Sequence, residues 1–374
     1  MTEQLRAQNA RTAPKGKSYI KADDLTKLGI GLLVAAGLSE ADARIVAECL
    51  VEADLRGVET HGMVRLVHYI NRIGLGLIKA KPNMVLNQVT PVALHIDADD
   101  AFGFVASRRA MDEAIRMAAE YGIGMVSVRG STHFGMAASY VIQANEAGYM
   151  SMVFTNASKS MPPWGGRDPI LGTSPFAAGA PAGKQPPFVL DMSVAVAARG
   201  KIRLAALRGQ QIPEGWGLDR DGKPTTSPQA VLDDGVVLPV GGPKGSAIAM
   251  MMDIFSGVFS GSKFAGEVTN HTLDYENKQD VGHFFLAIKP GLFVTEEGFR
   301  DRMDELVYKL KSSQRIDGVD EIFISGEPET RKQEARMMEG IQLPDAELET
   351  LFKAAREASV AIPDVSRQPF AEVK

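Results

Sequence analysis

One cysteine, Cys49, in 374 residues excludes a disulfide framework within the chain. It lies in the apolar run IVAECL, which predicts a buried thiol rather than an exposed, electropositive nucleophile. Charge of one sign is also scarce: 41 Lys and Arg against 46 Asp and Glu leave a formal −5, which gives neither a nucleic-acid footprint nor an acidic solvating chain. No apolar run reaches spanning length without charge or punctuation, so no membrane span is expected. The opening MTEQLRAQNARTAPKGKSY has basic residues but no apolar stretch behind them, so residues 1 to about 17 are expected as a loose arm rather than a signal peptide. A cytoplasmic setting follows as the default.

What is present suits a globular fold of two or three units: 45% hydrophobic residues, with Gly and Pro scattered throughout. Ser39 and Asp42 predict a helix start, and Ile45, Val46, Cys49, Leu50 and Ala53 follow on one face. VALHIDA, IGMVSV, YMSMVFTN, FVLDM, GHFFLAI and DEIFISG predict strands, with helical periodicity between several of them, so the class is α/β. Residues 156–187 are too rich in Pro and Gly for one continuous element, and residues 211–244 return to loop chemistry. SAIAMMMDIFSGVFSG is apolar nearly all round and predicts an interior or interface helix, its methionines filling core space.

Several motifs are only partial. GIGLLVAAG follows no strand and lacks the G-x-G-x-x-G spacing, so helix packing explains its glycines. DRDGK lacks the full ligand spacing of a calcium loop. No G-x-S-x-G elbow is found, and the six histidines show no H-E-x-x-H spacing, so no metal is expected.

Two histidine segments could carry chemistry. In GVETHGMVRLVHY, a helix starting at Thr60 would put His61 and Arg65 on one face, with His68 and Tyr69 near the same stripe. Arg65 could grip a carboxylate with two parallel hydrogen bonds and His61 could move a proton; a capped turn with a local ion pair is the plainer reading. In RGSTHFGMAASY, Ser131 or Thr132 would cap a helix and leave His133 in its first turn, where the helix potential lowers an imidazole pKa. His133 is then either an acid/base group or an ordinary capping-region residue. GGPKGS lacks P-loop spacing, yet its backbone and Lys244 could hold a phosphate, or simply precede a buried helix.

Taken together, THG...R, STHFG, TNASKSMPPWGG, LGTSPFA, DMSVAVAARGKI, IPEGW, PTTSP and GGPKG resemble the malate/L-lactate dehydrogenase type-2 family of NAD(P)-dependent oxidoreductases, from about residue 20 to the final helices. The resemblance implies a non-Rossmann, sulfolactate dehydrogenase-like α/β fold, a homodimer, and NAD as cofactor with NADP possible. It divides the chain into an N-terminal helical substrate-site region, 18–75, a larger α/β domain from 76–130 and 245–374, and a central nicotinamide-cofactor region, 131–244.

By that resemblance, His133 and His61 are the acid/base candidates, and Arg65 with Thr60 binds substrate, Thr60 standing where serine is common. Ser158, Asp191, Met192, Ser193 and Lys244 would face the cofactor, with Gly326, Glu327 and Pro328 as a late cofactor stretch; Ala157 stands where some members have serine. The implied activity is reversible hydride transfer on a 2-hydroxy or 2-keto acid, malate first and lactate next. The rivals are an NADPH-dependent reductase of cyclic imino acids and a noncatalytic keto-acid or nucleotide-binding module.

Overall fold

In the computed structural model, residues 16–370 are described. The expected N-terminal arm therefore lies almost wholly outside the described residues, and Lys17 already begins the first strand. Contacts divide the chain into two compact units, one running to Gly76 and resuming at Pro328, the other spanning Leu77–Glu327.

The first unit opens with β1 (Lys17–Ile20) and α1 (Ala22–Ala35), whose Leu25, Leu28, Gly29, Leu32 and Leu33 form a buried stripe. Gly29 works as a packing residue: a Cβ there would lie 3.1 Å from that of Ala47. Helix α2 (Glu40–Leu55) is capped as expected, Ser39 Oγ accepting the Asp42 N–H at 3.1 Å, and buries Cys49. Two 3₁₀ turns, Glu59–His61 and Met63–Arg65, then lead into α3 (Leu66–Gly74).

The second unit is built on a seven-stranded sheet. Its strands are β2 (Val85–Thr90), β3 (Ala93–Asp97), β4 (Ile123–Ser131), β5 (Met150–Thr155), β8 (Phe176–Ala180), β9 (Phe188–Met192) and β12 (Val281–Ile288). They lie in the order β2-β3-β4-β12-β5-β8-β9, and only β3 and β4 run parallel. Helix α4 (Gly103–Tyr121) makes that parallel crossover and closes on Gly122 in the left-handed region. It packs tightly on β4, since a Cβ on Gly124 would meet the Ala114 carbonyl at 2.2 Å. Helix α5 (Ala138–Glu146) leads from β4 to β5. Strand β12 lies between β4 and β5 and is buried almost throughout, which explains its unbroken apolar run.

The Pro- and Gly-rich stretch after β5 folds as two short strands, β6 (Lys159–Met161) and β7 (Leu171–Gly172), before reaching β8. Beyond β9 come α6 (Arg199–Leu207), β10 (Gly217–Leu218), α7 (Pro228–Asp233), β11 (Val236–Val237) and α8 (Pro243–Asp253). Met161, Val194, Ile202, Val231 and Ala249 give this region a core of its own.

The methionine run only partly fills core space: Met252 is buried with Phe154 and Phe284, whereas Met250 and Met251 face outward. Helix α9 (Glu296–Lys311) follows β12. DEIFISG forms no strand; its link to the sheet is Ser325, which accepts the Val189 N–H and returns its hydroxyl to the Val189 carbonyl. The chain then rejoins the first unit through α10 (Glu327–Glu339), β13 (Ile341–Pro344) and α11 (Asp345–Glu357), with β13 antiparallel to β1.

Candidate active site

In the first unit, the expected helix from Thr60 is replaced by the two 3₁₀ turns, with Gly62 between them. His61 and Arg65 therefore do not share an α-helical face. The cause lies beneath them: Asp54, fully buried at the end of α2, accepts the Met63 N–H on Oδ2 at 2.8 Å. That bond captures the backbone donor where a helix would otherwise continue. A Cβ on Gly62 would lie 1.8 Å from Asp54 Oδ1, so glycine is required between His61 and Met63.

The turn nevertheless joins three of the expected residues. Arg65 Nε donates to the Thr60 carbonyl at 2.7 Å, and Thr60 Oγ1 lies 3.0 Å from His61 Nδ1. The His61 imidazole is pushed down to about 4, first by burial and then by the Arg65 charge, so it is neutral at ordinary pH.

His133 belongs to the second unit, two residues after β4 and five before α5. Ser131 and Thr132 do not cap α5. Ser131 Oγ pairs with His283 Nε2 at 2.9 Å, while Thr132 Oγ1 accepts the Gly103 N–H at 2.9 Å and donates to the Ala101 carbonyl at 3.2 Å. The start of α5 is held instead by Asp191, whose Oδ2 accepts the Ala138 N–H at 2.8 Å. His133 therefore lies outside the first turn of α5, and its setting is made by its own loop. Its N–H donates to Gln279 Oε1 at 3.2 Å, and its Nδ1 accepts the Gly135 N–H at 3.2 Å. An accepting Nδ1 leaves the proton of the neutral ring on Nε2. His271 stacks on the ring at a centroid distance of 4.6 Å.

Beneath this loop, His283 is fully buried on β12, its Nδ1 2.8 Å from Thr155 Oγ1 and its ring stacked 4.7 Å from Phe134. Burial pushes its imidazole down to about 3, so at ordinary pH it is a neutral tie between β4 and β5. The sequence reading missed His283, Gln279, His271 and Asp54. A histidine inside an otherwise apolar strand was the available signal for His283, since a buried polar ring demands partners. The others reach their partners through tertiary contacts that spacing does not encode.

The remaining candidates lie in the second unit, apart from Pro328 at the start of the returning segment. Ser158 is half-buried between β5 and β6, and Met192 pairs with Phe176 across β8 and β9. Ser193 Oγ donates to the Thr173 carbonyl and accepts the Ala195 N–H, each at 3.1 Å. Gly326 adopts φ +91°, and a Cβ there would strike Val189 at 2.6 Å. The buried Glu327 carboxylate pairs with Lys311 Nζ at 2.7 and 2.8 Å and accepts the Ile324 N–H.

Lys244 is exposed in the first turn of α8, entered through Gly242 at φ +62°. A helix N-terminus beside a lysine suits a phosphate of a dinucleotide. Lys244 and the first turn of α8 fit a cofactor phosphate, whereas the Asp191 carboxylate serves α5 and that of Glu327 serves Lys311.

The family profile described as Malate/L-lactate dehydrogenase matches residues 20–352. The chain is 37% identical over 348 residues to the malate dehydrogenase of Pyrococcus abyssi, covering 91% of this chain and 95% of that protein. It is 38% identical over 317 residues to the L-sulfolactate dehydrogenase of Methanocaldococcus jannaschii, covering 85% of this chain and 91% of that protein. The solved structure of sulfolactate dehydrogenase from Methanocaldococcus jannaschii matches with a TM-score of 0.87 at 36% identity, over 92% of this chain and 98% of that one.

Proposed function

The chain belongs to the malate/L-lactate dehydrogenase family, and from that premise we propose that its preferred reaction is the NAD-linked interconversion of malate and oxaloacetate, with lactate and pyruvate the next pair. It is an NAD(P)-dependent dehydrogenase acting on the CH–OH group of 2-hydroxy acids, with the α/β fold of the sulfolactate dehydrogenase structures and a small carboxylate as substrate. Malate leads because a relative named for it aligns over nearly the whole of both chains.

When bound, the nicotinamide supplies or accepts the hydride. Arg65 holds the C1 carboxylate of the acid and so positions C2, with Thr60 shaping the turn around it. His133 donates its Nε2 proton to the C2 oxygen during reduction and takes it back during oxidation. His61 stays neutral and hydrogen-bonds the substrate without adding a second positive charge. Lys244 and the first turn of α8 hold a cofactor phosphate, and Ser158, Met192 and Ser193 contribute from the surrounding segment 131–244. Asp191 holds the start of α5 and Gly326 packs on Val189 of that segment, while Glu327 pairs with Lys311.

The observation that carries this reading is the hydrogen bond from Gly135 to His133 Nδ1, which fixes the donor nitrogen. The test is a rate panel of NADH and NADPH against oxaloacetate, pyruvate, sulfopyruvate and a cyclic imino acid. Oxaloacetate with NADH is expected to give the highest kcat/KM. A higher value for sulfopyruvate, or turnover of the cyclic imine alone, would replace malate as the substrate. The outward apolar face of α8 further supports a homodimer.

A further inference from the structure

We propose that Asp54 is a positioning residue for acid-substrate binding, its buried carboxyl fixing the Gly62–Met63 link and through it the turn that carries His61 and Arg65. The inference rests on the reading of Arg65 and His61 as substrate-facing residues.

Asp54 has no access to water, and among the described residues its Oδ1 has no hydrogen-bond partner, whereas Oδ2 holds the Met63 N–H. A buried carboxyl with half its acceptors unused is costly, and simple packing would favour an apolar residue there. Its position explains why a carboxyl stands there instead. The Met63 amide lies between the two 3₁₀ turns, and Gly62 leaves room for nothing but the carboxyl. Loss of the acceptor would free the peptide that sets the direction of Arg65 relative to Thr60.

The charged groups that act on it come from three elements: Glu59 on the first turn, Arg336 on α10 and Glu347 on α11; the turn it holds carries neutral His61 and the Arg65 guanidinium. Arg336 directs its guanidinium at the Asp54 backbone carbonyl and at Glu59 Oε1, the latter at 2.7 Å, rather than at the Asp54 carboxyl. Burial above all, with Glu347 and Glu59, pushes the Asp54 carboxyl up to about 7, against the Met63 N–H and Arg336, which favour ionisation. The group is therefore protonated below neutrality and ionised above it. An ionised acceptor binds an N–H more strongly, so the turn is best held on the alkaline side.

The experiment compares wild type, Asp54→Ala, Asp54→Asn and Arg65→Lys as full chains, measuring KM for oxaloacetate (or the best acid of the panel) and for NADH between about pH 6 and about pH 8. Asp54→Ala is expected to raise the acid KM about tenfold or more while the NADH KM stays within about twofold. Asp54→Asn keeps an acceptor oxygen for Met63 and should restore most of that loss. It should also abolish the fall in acid KM expected of wild type as pH rises through 7, which a purely structural role would not produce.

A folded Asp54→Ala variant with wild-type acid KM overturns the proposal, as does an Asp54→Asn variant that keeps the wild-type pH response. If Asp54→Ala does not fold, the isosteric Asp54→Asn variant decides alone. A raised acid KM in Arg65→Lys without one in Asp54→Ala defeats this inference only; an unchanged KM in Arg65→Lys removes the substrate-site reading beneath it as well.

Discussion

On the proposed reading of His133 as the acid/base group, the deciding quantity is which ring nitrogen holds the proton. The Gly135 N–H is directed at Nδ1, the His133 N–H is held by Gln279, and His271 covers a ring face, so the imidazole has one orientation and one donor. A group held this way contributes mainly to the transition state, where the C2 oxygen gains charge. Replacing His133 with Ala is therefore expected to lower kcat by about 10²- to 10⁴-fold. NADH affinity, read by fluorescence titration, should change little. Near-wild-type turnover would move the proton transfer to His61, whose neutral ring sits on the other candidate turn.

At the scale of elements, the sequence revealed periodicity well and cross-strand ties poorly. The stripe Ile45, Val46, Cys49, Leu50 and Ala53 and the run GHFFLAI formed the expected helix and strand because burial enforces a 3.6 or a near-continuous pattern. The turn at Thr60–Arg65 escaped because a carboxylate six residues earlier takes the Met63 amide, a contact no local pattern announces. DEIFISG forms no strand although its composition suits one; its backbone meets β9 through the Val189 N–H bond to Ser325 without forming a ladder.

His283 shows what such a tie does to stability. Its folded pKa of about 3 lies below the unfolded value of 6.5, so the unfolded chain binds the extra proton in between. The stabilisation is complete above about pH 6.5 and is lost as pH falls toward 3, at ~1.4 kcal/mol per pH unit. His283→Asn should therefore flatten the acid limb of urea-unfolding stability between about pH 6 and about pH 4, whatever it does near neutrality. An unchanged acid slope would show that the ring does not carry that limb.

For the whole molecule, one stretch of exposed apolar surface bears on the proposed homodimer. Past α8 the helix widens into a π turn at Ile254–Val258, where Ile254, Val258 and Phe259 are 54%, 54% and 63% exposed, beside the outward Met250 and Met251. Contiguous patches of this kind mark interaction surfaces, and a stable contact removes about 800 Å² per partner from water. An apolar helical face continuous with a widened turn suits a second copy of the same surface, as a two-fold dimer requires.

A carboxylate placed inside such a contact would lose its hydration without gaining a partner. Phe259→Asp is therefore expected to shift the protein from the mass of two chains to that of one in sedimentation velocity, with its unfolding midpoint lowered accordingly. Phe293→Asp is the control, because Phe293 is 92% exposed and closes the Pro290–Leu292 turn after β12, on a different element. A Phe259→Asp protein that keeps the mass of two chains would exclude this face as the subunit contact; dissociation by Phe293→Asp alone would move the contact to the α9 side of the unit.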